Sequence, residues 1–128
     1  MRALLDTHAF LWWITDDSRL SERAREFISA GENELLFSAA SGWEVAIKAG
    51  LGKIELPEDL ERFLTEQLHR NAVWVLPVNL GHAMGVHGLP DHHRDPFDRL
   101  LVAQCVSERL PLLSSDKAFE RYPVEVIW

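Results

Sequence analysis

The chain has 128 residues, of which 47% are hydrophobic and 26% charged, with 13 Lys and Arg against 20 Asp and Glu for a formal net charge of −7. That length fits one domain over 1–128, able to fold without disulfide or metal staples, and one cysteine excludes both an internal disulfide and a thiolate zinc centre. A reducing, cytoplasmic setting is the default for such a chain, and the acidic balance excludes a basic nucleic-acid-coating protein.

No membrane partner is expected. The apolar run from Ala3 to Ile14 is broken by Asp6 and His8 and falls short of the ~20 residues a membrane-spanning helix needs. A secretory leader would carry a basic start and an unbroken apolar stretch, which Arg2 alone does not supply.

In chain order, Arg2 to Leu5 predicts a first strand ending at Asp6, followed by an apolar helix through Phe10, Leu11, Trp12, Trp13 and Ile14. Ser21 reads as the N-cap of a helix with Ala24, Phe27 and Ile28 on one face, stopped by Gly31. Leu35 to Phe37 predicts a second strand. Ser41-Gly42-Trp43-Glu44 reads as a capping box opening a helix that ends at Gly50, with Glu44 on its first turn and Trp43 in the core. Pro57 predicts the start of another helix, carrying Leu60, Phe63, Leu64 and Leu68. Val73 to Val78 is a third strand, and a less regular helix around Ala83, Met84 and Val86 breaks at Gly88 and Pro90. Asp95-Pro96 opens a strongly apolar helix through Val106. Leu112-Leu113 and Val124 to Ile127 complete about five strands. Short apolar runs alternating with helices predict an α/β fold with a central parallel sheet.

Four acids stand out by position. Asp6 follows strand one, Asp116 follows strand four, Glu44 opens the helix after strand two, and Asp98 opens the helix feeding strand four. In a parallel sheet the strand C-termini share one rim, where ligands bind, so these carboxylates are expected to converge. Clustered carboxylates repel unless a cation lies between them. Oxygen ligands alone suit Mg²⁺ or Mn²⁺, and such ions serve phosphodiester hydrolysis. Each acid also has a plain structural reading. Ser41-x-x-Glu44 would explain Glu44 as a capping box, Asp95 as the N-cap before Pro96, Asp98 as a dipole-favoured third helical position, and Asp116 as a cap before Phe119. Asp6 is hardest to explain this way, because a carboxylate between two apolar elements needs a partner.

These residues resemble the PIN-domain ribonucleases, in particular the VapC-type toxins. Leu4-Leu5-Asp6-Thr7-His8 is similar to that family's opening motif, Ser38 to Glu44 to its second and Asp95 to Ala103 to its third. Leu112 to Phe119 is similar to its last, with Ser114 where Thr is frequent. The resemblance spans essentially the whole chain. It implies Asp6, Glu44, Asp98 and Asp116 as catalytic metal ligands for Mg²⁺ or Mn²⁺, and Asp95 as a cap or outer neighbour. Thr7, Ser114 and Arg99 are candidates for outer contacts or for RNA. It further implies an RNA substrate, a homodimer, and a cognate antitoxin protein occupying the active-site groove.

Of the histidines, His82 and His87 are five residues apart, off the three-or-four spacing of one helical face. His92 and His93, with Arg94, Arg99, Lys48, Lys53 and Lys117, are alternatives for contacting phosphate. Trp12 and Trp13 cannot both face one side of a helix, so one is a candidate for a protein interface. Two other functional classes place acids in this pattern. A phospho-receiver-like Mg²⁺-binding module would need an acceptor Asp after strand three, where this chain has Val78-Asn79, and a non-catalytic binding domain would use the acids only as caps.

Overall fold

The computed structural model describes every residue except His93, so the expectation for His93 lies outside the described residues. Five strands, β1 (Arg2–Leu5), β2 (Glu34–Ser38), β3 (Val73–Leu76), β4 (Leu112–Leu113) and β5 (Val126–Ile127), pair in parallel in the order β3-β2-β1-β4-β5. Among the described residues six helices connect or flank them: α1 (Thr7–Ile14), α2 (Glu22–Ser29), α3 (Ala39–Gly50), α4 (Leu60–Arg70), α5 (Leu80–Gly85) and α6 (Pro96–Glu108). Short 3-10 helices lie at Val86–Gly88 and Lys117–Arg121.

Strands β1, β2 and β4 are buried on both faces apart from Arg2 and Glu34, which is why they read as unbroken apolar runs, whereas edge strand β3 leaves Trp74 and Val75 exposed. Alternate residues nevertheless part company. Leu5, Leu35, Phe37 and Leu113 pack under α1, α2 and Leu68 of α4, whereas Leu4, Leu36 and Leu112 pack against Leu101, Val102 and Cys105 of α6. Residues 101–105 of α6 are all buried, which explains the apolar run in the middle of this helix. Burial pushes the Cys105 thiol up to about 12, leaving it an inert packing group.

The chain departs from the sequence reading at its junctions. The predicted cap at Ser41 is absent, because β2 passes directly into α3. Ser38 caps that helix by accepting the Ala40 N–H, and Ser41 is buried within the first turn. Glu44 is therefore on the second turn of α3, not the first. Trp43 is 61% exposed rather than core. The buried side of α3 is filled by Ala40, Ser41, Glu44 and Val45, and Trp43 sits about 100° around the helix from Glu44. Helix α4 begins at Leu60, capped by Asp59, rather than at Pro57. Strand β3 stops at Leu76, since Pro77 has no N–H for the ladder, and β5 spans only Val126–Ile127.

Among the described residues no helix is long and apolar enough to cross a membrane.

Candidate metal centre at the sheet's switch point

Strand β1 hands the chain leftward to β2 and β3, and the chain then returns to the right of β1 as β4. Such a reversal opens a crevice at the carboxyl ends of the two diverging strands. Asp6 leaves β1 and Asp116 follows β4, and the strands are neighbours through Leu4↔Leu112 and Leu5↔Leu113. A cleft of about 500 Å³ lies there, lined by Asp6, Glu44, Asp95, Asp98 and Asp116 together with His8, Trp12, Arg19, Lys48, Ser115 and Phe119. All four acids singled out from the sequence thus face one cavity, and Asp95 joins them.

Each carboxylate is held locally. Asp6 caps α1, its Oδ1 accepting the Ala9 N–H at 2.7 Å, while Oδ2 accepts from the Ser114 hydroxyl. Burial pushes its carboxyl above the usual carboxylate range, with the Ser114 and Ala9 hydrogen bonds acting against that rise. Glu44, 4% exposed, accepts the Thr7 hydroxyl on Oε1 at 2.6 Å and the Lys48 ammonium on Oε2 at 2.7 Å. Asp95 caps α6, taking the N–H groups of Phe97 and Asp98 at 2.9 and 3.2 Å. Asp116 caps the 3-10 helix by accepting the Ala118 N–H at 2.9 Å, and its own N–H donates to Ser114 Oγ at 3.1 Å. Capping and cleft-lining therefore coincide at Asp6, Asp95 and Asp116, while Glu44 caps nothing and is buried as an ion pair.

The charge on the walls calls for a cation. Lys48 answers part of that demand. Its ammonium is held charged beyond its ordinary range first by the Glu44 hydrogen bond, and further by the fields of Asp95 and Asp98. Among the described residues no three His, Cys, Asp or Glu side chains already stand in metal-holding geometry. The donor set nevertheless fits a hard divalent ion, because every candidate ligand offers oxygen, no sulfur or imidazole lines the cleft beside the acids except His8, and Asp6 is a buried carboxylate with no ion pair among the described residues.

Other expectations resolve differently. Thr7 and Ser114 are buried, each bonded to one of the acids. Arg99 does not line the cleft. Its guanidinium donates to the carbonyls of Pro90 and Val86 and to the Tyr122 hydroxyl, tying the 86–90 segment to the C-terminal region. His82 is buried as part of an Asn79–His82 capping box on α5, and so is not a ligand candidate beside His87. His92 is an exposed ring edge-on to Tyr122, and Lys53, Arg94 and Lys117 are exposed outside the cleft lining. After β3 the side chain of Asn79 is spent capping α5, so nothing there resembles a phospho-acceptor. The sequence reading overlooked His8, Trp12 and Arg19 as a cleft wall. The one local signal was Asp17-x-Arg19, a spacing that lets the carboxylate hold the guanidinium.

A model of the PIN domain matches residues 3–125. This chain belongs to the PIN domain family. Over 98% of its length it is 30% identical to Ribonuclease VapC22 of Mycobacterium tuberculosis, covering 97% of that protein. A shorter match, 33% identical over 63 residues, covers 49% of the chain and 43% of Ribonuclease VapC16 of the same organism. The PIN fold is shared with a chain of the VapBC2 complex of Rickettsia felis bound to a promoter DNA fragment, at a TM-score of 0.73 and 16% identity over 98% of this chain and 97% of that one. It is also shared with a chain of FitAcB from Neisseria gonorrhoeae, at a TM-score of 0.65 and 20% identity over 98% and 96%.

Proposed function

We infer that this PIN domain is a Mg²⁺- or Mn²⁺-dependent endoribonuclease, the toxin of a toxin–antitoxin pair. The observation that carries the reading is the convergence of Asp6, Glu44, Asp98 and Asp116 on one cleft at the switch point of the sheet. The full-length likeness to a protein named a ribonuclease supports the reaction class.

Asp6, Glu44, Asp98 and Asp116 would hold the metal. When bound, a divalent ion of this kind lowers the pKa of water and neutralises charge gathering on phosphate oxygens. The protein's own work is positional. Ser114 fixes the Asp6 carboxylate in orientation, and Thr7 fixes Glu44. Asp95 orders the first turn of α6, which carries Asp98, through the Asp98 N–H itself. Lys48 holds the Glu44 carboxylate in an ion pair at 2.7 Å, near the other acids.

The partners follow the same reading. An antitoxin chain is supported by the toxin–antitoxin complexes that share the fold. A homodimer is consistent with edge strand β3, which leaves Trp74 and Val75 more than half exposed, the kind of apolar edge another chain covers. A cytoplasmic location accords with one unpaired, buried cysteine.

The test is incubation of the purified chain with RNA in Mg²⁺ or in EDTA, alongside Asp6→Asn. Cleavage confined to the wild type with Mg²⁺ is expected. Cleavage that persists in EDTA or in Asp6→Asn refutes the metal-nuclease reading, and native mass measurement gives the oligomeric state.

A further inference from the structure

The cleft's second wall supplies none of the four candidate metal ligands. It is built from α1 and the turn after it: His8, Trp12 and Arg19 line the same cavity as the acids of α3 and α6. The Arg19 guanidinium lies over the Trp12 indole, 4.9 Å from the ring centroid. Trp12 is itself braced by the Trp128 ring, edge-on at 5.9 Å, and by His8 at 5.7 Å. On its other side Asp17 grips Arg19 with two oxygens, Oδ1 on Nε at 3.0 Å and Oδ2 on Nη2 at 2.8 Å. That grip, with the Arg19 backbone N–H, holds the Asp17 carboxyl down at about 2.

A long side chain that is 68% exposed would ordinarily be mobile. Here its plane is fixed between an aromatic face and a bidentate carboxylate, with the Nη1 edge engaged by no acceptor among the described residues. The turn does not need Arg19 as a staple. Arg25 of α2 already ties it down, donating to Asp16 Oδ1 at 2.7 Å and to the Asp17 carbonyl at 2.6 Å. The cleft is otherwise dominated by five acids, and its other strong cation among the described lining residues, Lys48, is committed to Glu44. An anionic strand entering this cavity needs a second positive group away from the metal ligands, and a planar guanidinium with one edge outward is suited to phosphate oxygens.

We propose that Arg19, held by Asp17 and Trp12, is the anchor for a backbone phosphate of the RNA next to the one that is cut. This rests on the nuclease reading above. Arg19 is a positioning residue: it sets the register of the strand over the carboxylates and takes no part in bond breaking. Arg19→Lys does not substitute, since an ammonium lacks the fork that engages Asp17 and presents an outward edge at once.

The experiment uses the full chain carrying Asp6→Asn in Mg²⁺, so that the strand is bound and not cut, with a short fluorescein-labelled single-stranded RNA of mixed sequence read by anisotropy over a salt series. Arg19→Ala is expected to weaken binding about tenfold and to make the slope of log Kd against log salt shallower by about 0.7, the signature of one lost phosphate contact on a single strand. Arg19→Lys should recover less than half of that loss. Arg23→Ala, which removes the same charge from an exposed position on α2 outside the cleft lining, should leave the slope unchanged. The proposal is overturned if Arg19→Ala leaves affinity and slope intact, if Arg23→Ala shifts them equally, or if Arg19→Ala weakens only the complex with an antitoxin. Wild-type protein that cuts RNA while Arg19→Ala binds normally refutes this inference alone. Wild-type protein that neither cuts nor binds RNA refutes the nuclease reading and this inference with it.

Discussion

Ser114 donates its hydroxyl to Asp6 across the β1–β4 boundary while accepting the Asp116 N–H, so one side chain joins two acids that are 110 residues apart in sequence. The link exists because parallel neighbours bring their C-terminal ends to the same level. Ser114→Ala is expected to lower metal affinity or cleavage by 10–100-fold, the usual range when a group orienting a ligand is removed. It should also cost about 1–2 kcal/mol of stability, since a buried carboxylate oxygen loses its donor. Ser114→Thr retains the hydroxyl and should retain most activity. Calorimetric Mg²⁺ titration with a urea unfolding series separates the two effects.

Lys48 competes with a divalent ion for the same negative field. Lys48→Met should therefore tighten apparent Mg²⁺ affinity several-fold, as one positive charge leaves the vicinity of Glu44, Asp95 and Asp98. Without metal the same variant should be less stable by about 1 kcal/mol, because Glu44 stays buried without its counter-charge. The two effects predict a larger Mg²⁺-induced rise in Tm for Lys48→Met than for the wild type. An equal or smaller rise would mean that Lys48 and the metal do not share a site.

Asp6 gives a pH dependence with a definite sign. Its folded-state pKa is raised by burial above the 3.8 of an unfolded chain, so the folded state holds this proton more tightly. Its contribution to stability is full below the unfolded value and is lost as pH rises through the folded one. Metal-free protein should accordingly gain stability at neutral pH on Asp6→Asn, which keeps an oxygen to accept the Ala9 N–H and carries no buried charge. Denaturation in EDTA at pH 7 and at pH 4 checks this: the gain should be larger at pH 7. Added Mg²⁺ should stabilise the wild type and leave Asp6→Asn nearly unmoved.

The metal wall of the cleft was legible in the sequence because its acids sit at fixed offsets from strong local signals. Asp6 ends an apolar run, Asp95 precedes Pro96, and Asp98 and Asp116 fall beside apolar segments whose ends are well marked. Strand β1, strand β4 and the Leu101–Ala103 run of α6 were readable for the same reason, since burial there leaves no polar interruption. The junction at Ser38 was not. Two serines, Ser38 and Ser41, are equally good caps by type, and only the direct passage of β2 into α3 decides between them. Trp43 was misread because an aromatic beside a buried acid does not disclose which side of the helix it takes. The Arg19 wall lay further from view. It brings Trp12 under Arg19 through a turn in which Asp16 takes a left-handed φ of 51°, and no periodicity in the sequence encodes that fold-back.

Asp95 combines two roles that substitution can separate. As N-cap of α6 it satisfies the N–H groups of Phe97 and Asp98, and as a cleft carboxylate it adds to the field holding Lys48 charged. Serine caps helices about as well as aspartate but brings no charge. Asp95→Ser should therefore retain wild-type stability, whereas Asp95→Ala should lose about 1 kcal/mol in urea unfolding. If the charge matters at the metal, both variants should weaken Mg²⁺ binding by a similar few-fold factor. If Asp95 acts only by ordering the turn that carries Asp98, metal affinity will instead follow stability, falling in Asp95→Ala and holding in Asp95→Ser. We expect the first pattern, because Asp95 lines the same cleft as the four other acids and its field already reaches the Lys48 ammonium.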